Sequence, residues 1–202
     1  MFHGKNILAV GSHPDDIEFG ALGTLLKFCS ESKIFCYIAT LGGKGDTTDP
    51  DTRRKESVLA LKVLNPMPIL WSSEIGLDVA KYHEYVKSIE DVILAGRIDT
   101  IFTPSRHDTH QDHRFMNEVT MTASRRFLTS IFCYSTPSVT LDFNPRLFVD
   151  ITEVFQKKCE ALKLHKTQLN KPYMDDKYLE RFHSDISGGY VERFEIERCI
   201  IR

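Results

Sequence analysis

Residues 6–20 read NILAVGSHPDDIEFG: a short apolar run, then a histidine, a proline and two adjacent aspartates, then the start of a helical pattern. Asn6 to Val10 predicts a strand and Ile17 to Ser30 a helix, since the first stretch is strand-length and the second carries apolar residues at helical spacing. The unit recurs. Ile34 to Thr40 (IFCYIAT) predicts a second strand, followed by the loop LGGKGDTTDPD and a helix from about Thr52 to Leu64. Pro68 to Trp71 predicts a third, with a helix from about Val79 to Ala95, and Thr100 to Thr103 a fourth, which runs into PSRHDTHQDH and a helix from about Asp112 to Phe127. Such alternation predicts an α/β fold, a Rossmann-like, mostly parallel sheet with helices on both faces.

Ile131 to Tyr134 and Leu147 to Val149 follow as short strands. DITEVFQKKCEALKLHKTQL predicts one long helix, capped by Asp150 or Thr152 and ending near Leu169. A last strand is expected around Tyr190 to Ile196, and its edge offers a surface for a homo-oligomer. Neither a repeat nor a linker divides the chain, so residues 1–202 are expected to form a single domain.

With 26 basic against 28 acidic side chains and a net charge of -2, nothing points to nucleic-acid binding by bulk charge. No apolar run approaches the roughly 18 residues of a membrane span, and the first residues lack signal-peptide character. The five cysteines are scattered and read as buried thiols of a reducing compartment, so a cytoplasmic location is expected.

HPDD at His13 to Asp16 and HDTHQDH at His107 to His113 each follow a predicted parallel strand. Loops at the carboxyl ends of such strands form the ligand crevice, so the two patches can converge. Imidazole and carboxylate suit zinc or a similar divalent ion, and a catalytic zinc takes three protein ligands and keeps one position open. His13 and Asp16 can face one point, with a third ligand from His110 or His113. Asp15 and Asp16 would repel each other without a cation nearby. In a turn their side chains diverge, so one can bind the ion while its neighbour faces water, as metal-assisted hydrolysis needs. The plainer readings are that Asp15 or Asp16 caps the first helix, that HDTHQDH is a solvated loop, and that Asp112 caps the helix after it or orients a histidine.

At these residues the sequence resembles the PIG-L/LmbE-like deacetylase family, metal-dependent hydrolases that remove the acetyl group from N-acetylglucosamine-containing substrates. The resemblance rests on HPDD after an apolar strand and on H-x-D-H at His110 to His113. It extends to the loop TLGGKGDTTD, to the pair Arg53 and Glu56, and to LHKTQ late in the chain. It implies zinc, or another divalent metal such as Fe2+, held by His13, Asp16 and His113, with Asp15 as general base. It further implies that His110 lies beside the metal, protonated or hydrogen-bonding, and stabilises the tetrahedral intermediate or the leaving amine, while Asp112 supports a histidine. His165 and Gln168 resemble a motif near the pocket, and Arg53 is a candidate for an anionic substrate group or else a surface ion pair with Glu56.

Two departures stand out: HQDH, where proline often follows the first histidine, and WSSEIGLDV at Trp71 to Val79, which replaces a usual stretch bordering the pocket. The expected activity is metal-dependent N-deacetylation of a small N-acetylated amino sugar or its conjugate. The rivals are an amidase acting on a thiol conjugate or other amide, and a catalytically silent binding protein of the same fold.

Overall fold

The computed structural model describes residues 5–42, 49–66, 69–71 and 76–200. Most of the loop read as LGGKGDTTDPD, residue Pro68 and positions 72–75 of WSSEIGLDV lie outside the described residues. Among the described residues, seven strands form one sheet in the order β3-β2-β1-β4-β5-β7-β6. They are β1 (Asn6–Gly11), β2 (Lys33–Ile38), β3 (Leu70–Trp71), β4 (Thr100–Pro104), β5 (Ser130–Tyr134), β6 (Leu147–Asp150) and β7 (Val191–Arg198). The first five pair in parallel, and β7 runs antiparallel to both β5 and β6.

The helices are α1 (Asp16–Gly20), α2 (Leu22–Phe28), α3 (Pro50–Leu61), α4 (Tyr82–Gly96), α5 (Gln111–Ser124), α6 (Phe155–Leu162) and α7 (Asp176–His183). One core cluster packs Ile17, Leu22 and Leu25 against one face of the sheet, and another packs Ile89, Ile93, Met116 and Val119 against the other. β1 is buried in all but its first residue and β5 throughout, which is why they read as continuous apolar runs with no alternation.

Three sequence expectations change. The helix expected over Ile17 to Ser30 is two helices, broken at Ala21 (φ -141°, ψ -5°). The break leaves backbone groups inside the protein, and a buried ion pair satisfies them: Glu192 accepts from Gly23 N at 2.8 Å and Thr24 N at 2.7 Å, while Lys158 Nζ donates to Phe19 O. Lys158 Nζ and Glu192 Oε1 are 2.5 Å apart, both side chains fully buried. A Cβ on Gly20 would lie 2.1 Å from the Tyr134 ring, so α1 reaches the sheet only with glycine there.

The long helix expected to end near Leu169 stops at Leu162, and Lys166–Gln168 forms a separate 3-10 turn. His165 leaves helical geometry (φ -77°, ψ 65°) with its Nε2 on Glu18, and Glu56 binds both the backbone N and the hydroxyl of Thr167. Glu56 thus takes the Thr167 amide that a continued helix would have used, while Glu18 anchors the His165 ring. The last strand is not an edge: β7 lies between β5 and β6, so β3 and β6 are the edges and the expected surface at β7 is taken.

Removing one partner of a buried pair strands the other charge, at a cost of about 3–5 kcal/mol. Lys158→Ala is therefore expected to lower unfolding stability by about that amount in a denaturant titration. An unchanged midpoint would refute the role given to the pair.

Candidate metal centre

The strand order reverses between β1 and β4, which lie side by side, and the crevice of such a sheet opens beyond the carboxyl ends of those two strands. HPDD leaves β1 and HDTHQDH leaves β4, so topology alone brings together segments nearly a hundred residues apart. They line a cleft of about 750 Å³, within the range of small-molecule sites.

Asp16 folds its carboxylate back onto its own turn, where Oδ2 accepts from Ser12 N at 2.8 Å and His13 N at 2.9 Å. Its Oδ1 is 3.2 Å from His113 Nε2, and its Oδ2 is 3.6 Å from His13 Nδ1. The other nitrogen of His113 is held: Nδ1 lies 2.8 Å from Asp108 Oδ2. Asp108 is locked in turn by Thr136 Oγ1, by Ser138 Oγ at 2.6 Å and by His110 N at 2.7 Å. A carboxylate acceptor at Nδ1 keeps a ring proton there, so Nε2 is the nitrogen that can turn a lone pair to a cation placed between it and Asp16. Sequence reasoning missed Asp108, although its place five residues before His113 was in plain view.

Asp15 takes a left-handed conformation (φ 102°), unusual outside glycine, and its side chain makes no cap hydrogen bond to α1. The carboxylate points instead into the cleft, Oδ1 3.6 Å from Arg53 Nη2 and Oδ2 3.4 Å from the Tyr173 hydroxyl. Tyr173, from the 3-10 turn Pro172–Met174, is a second residue that sequence reasoning passed over; nothing in its neighbours marks it. Arg53 is buried and donates to Gly42 O and Pro14 O, both at 2.9 Å. It braces the two loops and Asp15, and is no surface partner of Glu56.

His110, not Asp112, caps α5: its Nδ1 accepts from Asp112 N at 3.2 Å. Its ring stacks on His113 at 4.6 Å and meets His13 edge-on at 4.7 Å. Asp112 reaches back to His13, with Oδ2 3.0 Å from Nε2. Gln168 lines the cleft, whereas His165 is fully buried on Glu18 and is not among the residues that line it.

Burial pushes the Asp15 carboxyl up to about 6, with the Asp16 charge adding and Arg53 opposing. Burial acts on Asp16 in the same direction, but His113 and His13 outweigh it and hold Asp16 well below the usual range. Burial disfavours charge on His13 and His113, yet acidic neighbours win: Asp112 and Asp16 raise His13 to about 9, and Asp16 and Asp108 raise His113 to about 10. Burial and the two neighbouring histidines lower His110.

The cluster thus demands positive charge between Asp16, His13 and His113. Those three offer ligand atoms within 4.8 Å of one another, and so do His13, His110 and Asp112. The 3.2 Å between His113 Nε2 and Asp16 Oδ1 suits ligands of one tetrahedral ion with bonds of about 2.0–2.2 Å. The donor set fits a divalent metal, with Asp108 as the outer carboxylate such sites carry.

The sequence pattern of the PIG-L family, described as GlcNAc-PI de-N-acetylase, matches residues 8–124. Over 175 residues the chain is 31% identical to YaiS of Escherichia coli K12, described as an uncharacterized deacetylase, covering 81% of this chain and 91% of YaiS. It is 27% identical over 192 residues to the diacetylchitobiose deacetylase of Thermococcus kodakarensis, covering 81% and 70% of the two chains. The N,N'-diacetylchitobiose deacetylase of Pyrococcus horikoshii, solved with an inhibitor, has the same fold, with a TM-score of 0.75 at 22% identity over 96% of this chain and 84% of that one. Among the described residues no helix is long and apolar enough to cross a membrane.

Proposed function

The chain belongs to the PIG-L family, and from that membership we propose that it is a zinc-dependent N-deacetylase acting on an N-acetylglucosamine-containing small molecule or glycoconjugate. The observation that carries the reading is the pairing of a three-donor cluster with a neighbouring carboxylate, that of Asp15, which makes no side-chain cap bond to its helix and does not join the cluster. His13, Asp16 and His113 would hold the ion. When bound there, zinc supplies Lewis acidity to a carbonyl and lowers the pKa of water.

The remaining work falls to the chain itself. Asp15 takes a proton from the attacking water, its two oxygens oriented by Arg53 and Tyr173. Burial and the neighbouring histidines disfavour charge on His110, and because Nδ1 accepts from a backbone amide the proton of the neutral ring sits on Nε2. That proton makes it a hydrogen-bond donor for the oxyanion, which favours the hydrogen-bonding role over the protonated one. Asp112 holds the His13 ring. When the C–N bond breaks, the proton on Asp15 passes to the departing nitrogen, giving acetate and a free amino sugar.

An amine-release assay on the zinc-loaded protein, across N-acetylglucosamine, diacetylchitobiose and lipid, inositol and nucleotide conjugates of N-acetylglucosamine, tests this reading. Amine from any of these supports it, and release from none, by protein holding a full equivalent of metal, overturns it.

Tyr173→Phe is expected to lower kcat/KM about tenfold, the loss of one long hydrogen bond to a charged group worth about 1.4 kcal/mol, with metal content unchanged. A parallel loss of metal would show that the tyrosine acts on the fold and not on Asp15.

A further inference from the structure

The sheet ends at β6, whose outer side meets no strand among the described residues. Ile151 N donates to Tyr190 O at 2.8 Å, so the alternation of a strand turns the backbone groups of Phe148 and Asp150 away from β7 and into the open edge. The side chains divide by face. Leu147 and Val149 pack against the core cluster that holds Leu22 and Phe194. Arg146, Phe148 and Asp150 are exposed on the opposite face, Phe148 at 56%.

We propose that β6 is the pairing edge for a second copy of this chain, joined to it antiparallel about a twofold axis at Phe148.

The occupant follows from where the charges stand. Arg146 and Asp150 lie at equal distances on either side of Phe148 and on its face. In an antiparallel ladder centred on Phe148, Arg146 of each copy falls opposite Asp150 of the other, Leu147 falls opposite Val149, and the two Phe148 rings meet. An edge guarded by basic residues alone would repel its own copy, and a proline would remove a donor from the ladder. From Arg146 to Asp150 this edge has neither. It is complementary to itself.

The backbone fits the same axis. The two Phe148 residues exchange N–H···O bonds, and each Asp150 N–H meets the Arg146 carbonyl of the second copy. The next bond outward would join Arg146 N to Asp150 O. Both are already satisfied within the chain, the first by Phe194 O at 2.9 Å and the second by Lys27 Nζ at 2.7 Å. The ladder therefore stops there with no backbone group stranded. A contact this short lies at the small end of specific interfaces, so the dimer is reversible. None of its residues lines the cleft, and the proposal stands apart from the deacetylase reading.

Sedimentation velocity of the full-length protein between about 1 and 200 µM tests the pairing. The wild type is expected to pass from monomer toward dimer over that range. Arg146→Glu sets acid against acid at both ends of the ladder, and Asp150→Lys sets base against base, so each is expected to weaken the dimer about tenfold or more. Mixed in equal amounts, the two variants regain an opposite-charge pair at both ends and are expected to form a heterodimer of wild-type strength. Asp150 Oδ1 also accepts from Thr152 N at 2.9 Å, so Asp150→Lys loses a turn bond as well, and the mixture separates the two effects because a merely misfolded chain rescues nothing. A wild type that stays monomeric throughout overturns the proposal. So does a dimer that neither variant weakens, which places the contact elsewhere, and so does a mixture as dissociated as each variant alone.

Discussion

Asp15→Asn is expected to cut kcat by about 10²–10⁴-fold, the span of a positioned general base, while zinc content stays at the wild-type level. Asparagine keeps the shape and removes the proton acceptor. Because the Asp15 side chain makes no cap bond to α1, the helix loses nothing. Burial and Asp16 already push this carboxyl up to about 6, so its charge costs stability, and a neutral amide should leave the melting temperature equal or higher. Lost activity with retained metal and retained stability is the signature of a base; lost activity with lost metal is that of a ligand. The pH profile carries the same sign. Asp15 works only when deprotonated, so activity falls as pH drops. A cation beside Asp16 pulls its pKa back toward the ordinary carboxylate range, which puts the acid limb between about 4 and 6. Wild-type turnover in the asparagine variant would remove Asp15 from the mechanism.

What the sequence revealed and what it hid have different physical origins. The strand-helix alternation and the crevice position of HPDD and HDTHQDH were legible because burial on both sheet faces writes continuous apolar runs, and because strand order fixes where loops meet. The helix breaks were not. Around Ala21 and His165 the freed groups are taken up by buried side chains from distant segments: Glu192 accepts from Gly23 N and Thr24 N, Lys158 donates to Phe19 O, Glu18 holds the His165 ring and Glu56 accepts from Thr167 N. Periodicity within a window carries no trace of partners more than a hundred residues away.

The site shows the same division. Residue types announced the donors, but not which acid serves which histidine. Asp112, next to His113 in sequence, turns to His13, and Asp108 serves His113 because five residues across the β4–α5 turn bring it under the ring. Asp15 and Asp16 looked interchangeable as caps. The positive φ at Asp15 separates them, sending one carboxylate to the turn and the other to the cleft. Tyr173 was invisible, since a tyrosine in an irregular tail has no pattern to betray it.

The assignment of Asp108 and His113 makes a graded prediction about metal. His113→Ala is expected to take bound zinc from about one equivalent to near zero after dialysis, and kcat/KM to background, because it removes a direct donor and leaves the wholly buried Asp108 side chain without its Nδ1–H partner. Asp108→Asn keeps the ring and an acceptor for Nδ1–H but removes the negative charge behind it, so zinc affinity should fall about 10- to 100-fold, with activity restored at higher zinc. His110→Ala should retain the tight equivalent, since its ring lies beside the cluster of His13, Asp16 and His113 and outside it. Elemental analysis of the three variants at one zinc concentration therefore orders them as His110→Ala, then Asp108→Asn, then His113→Ala, from most metal to least. Full metal in His113→Ala would break the assignment of that ligand, and Asp108→Asn indistinguishable from wild type would break the claim that a carboxylate chooses the tautomer.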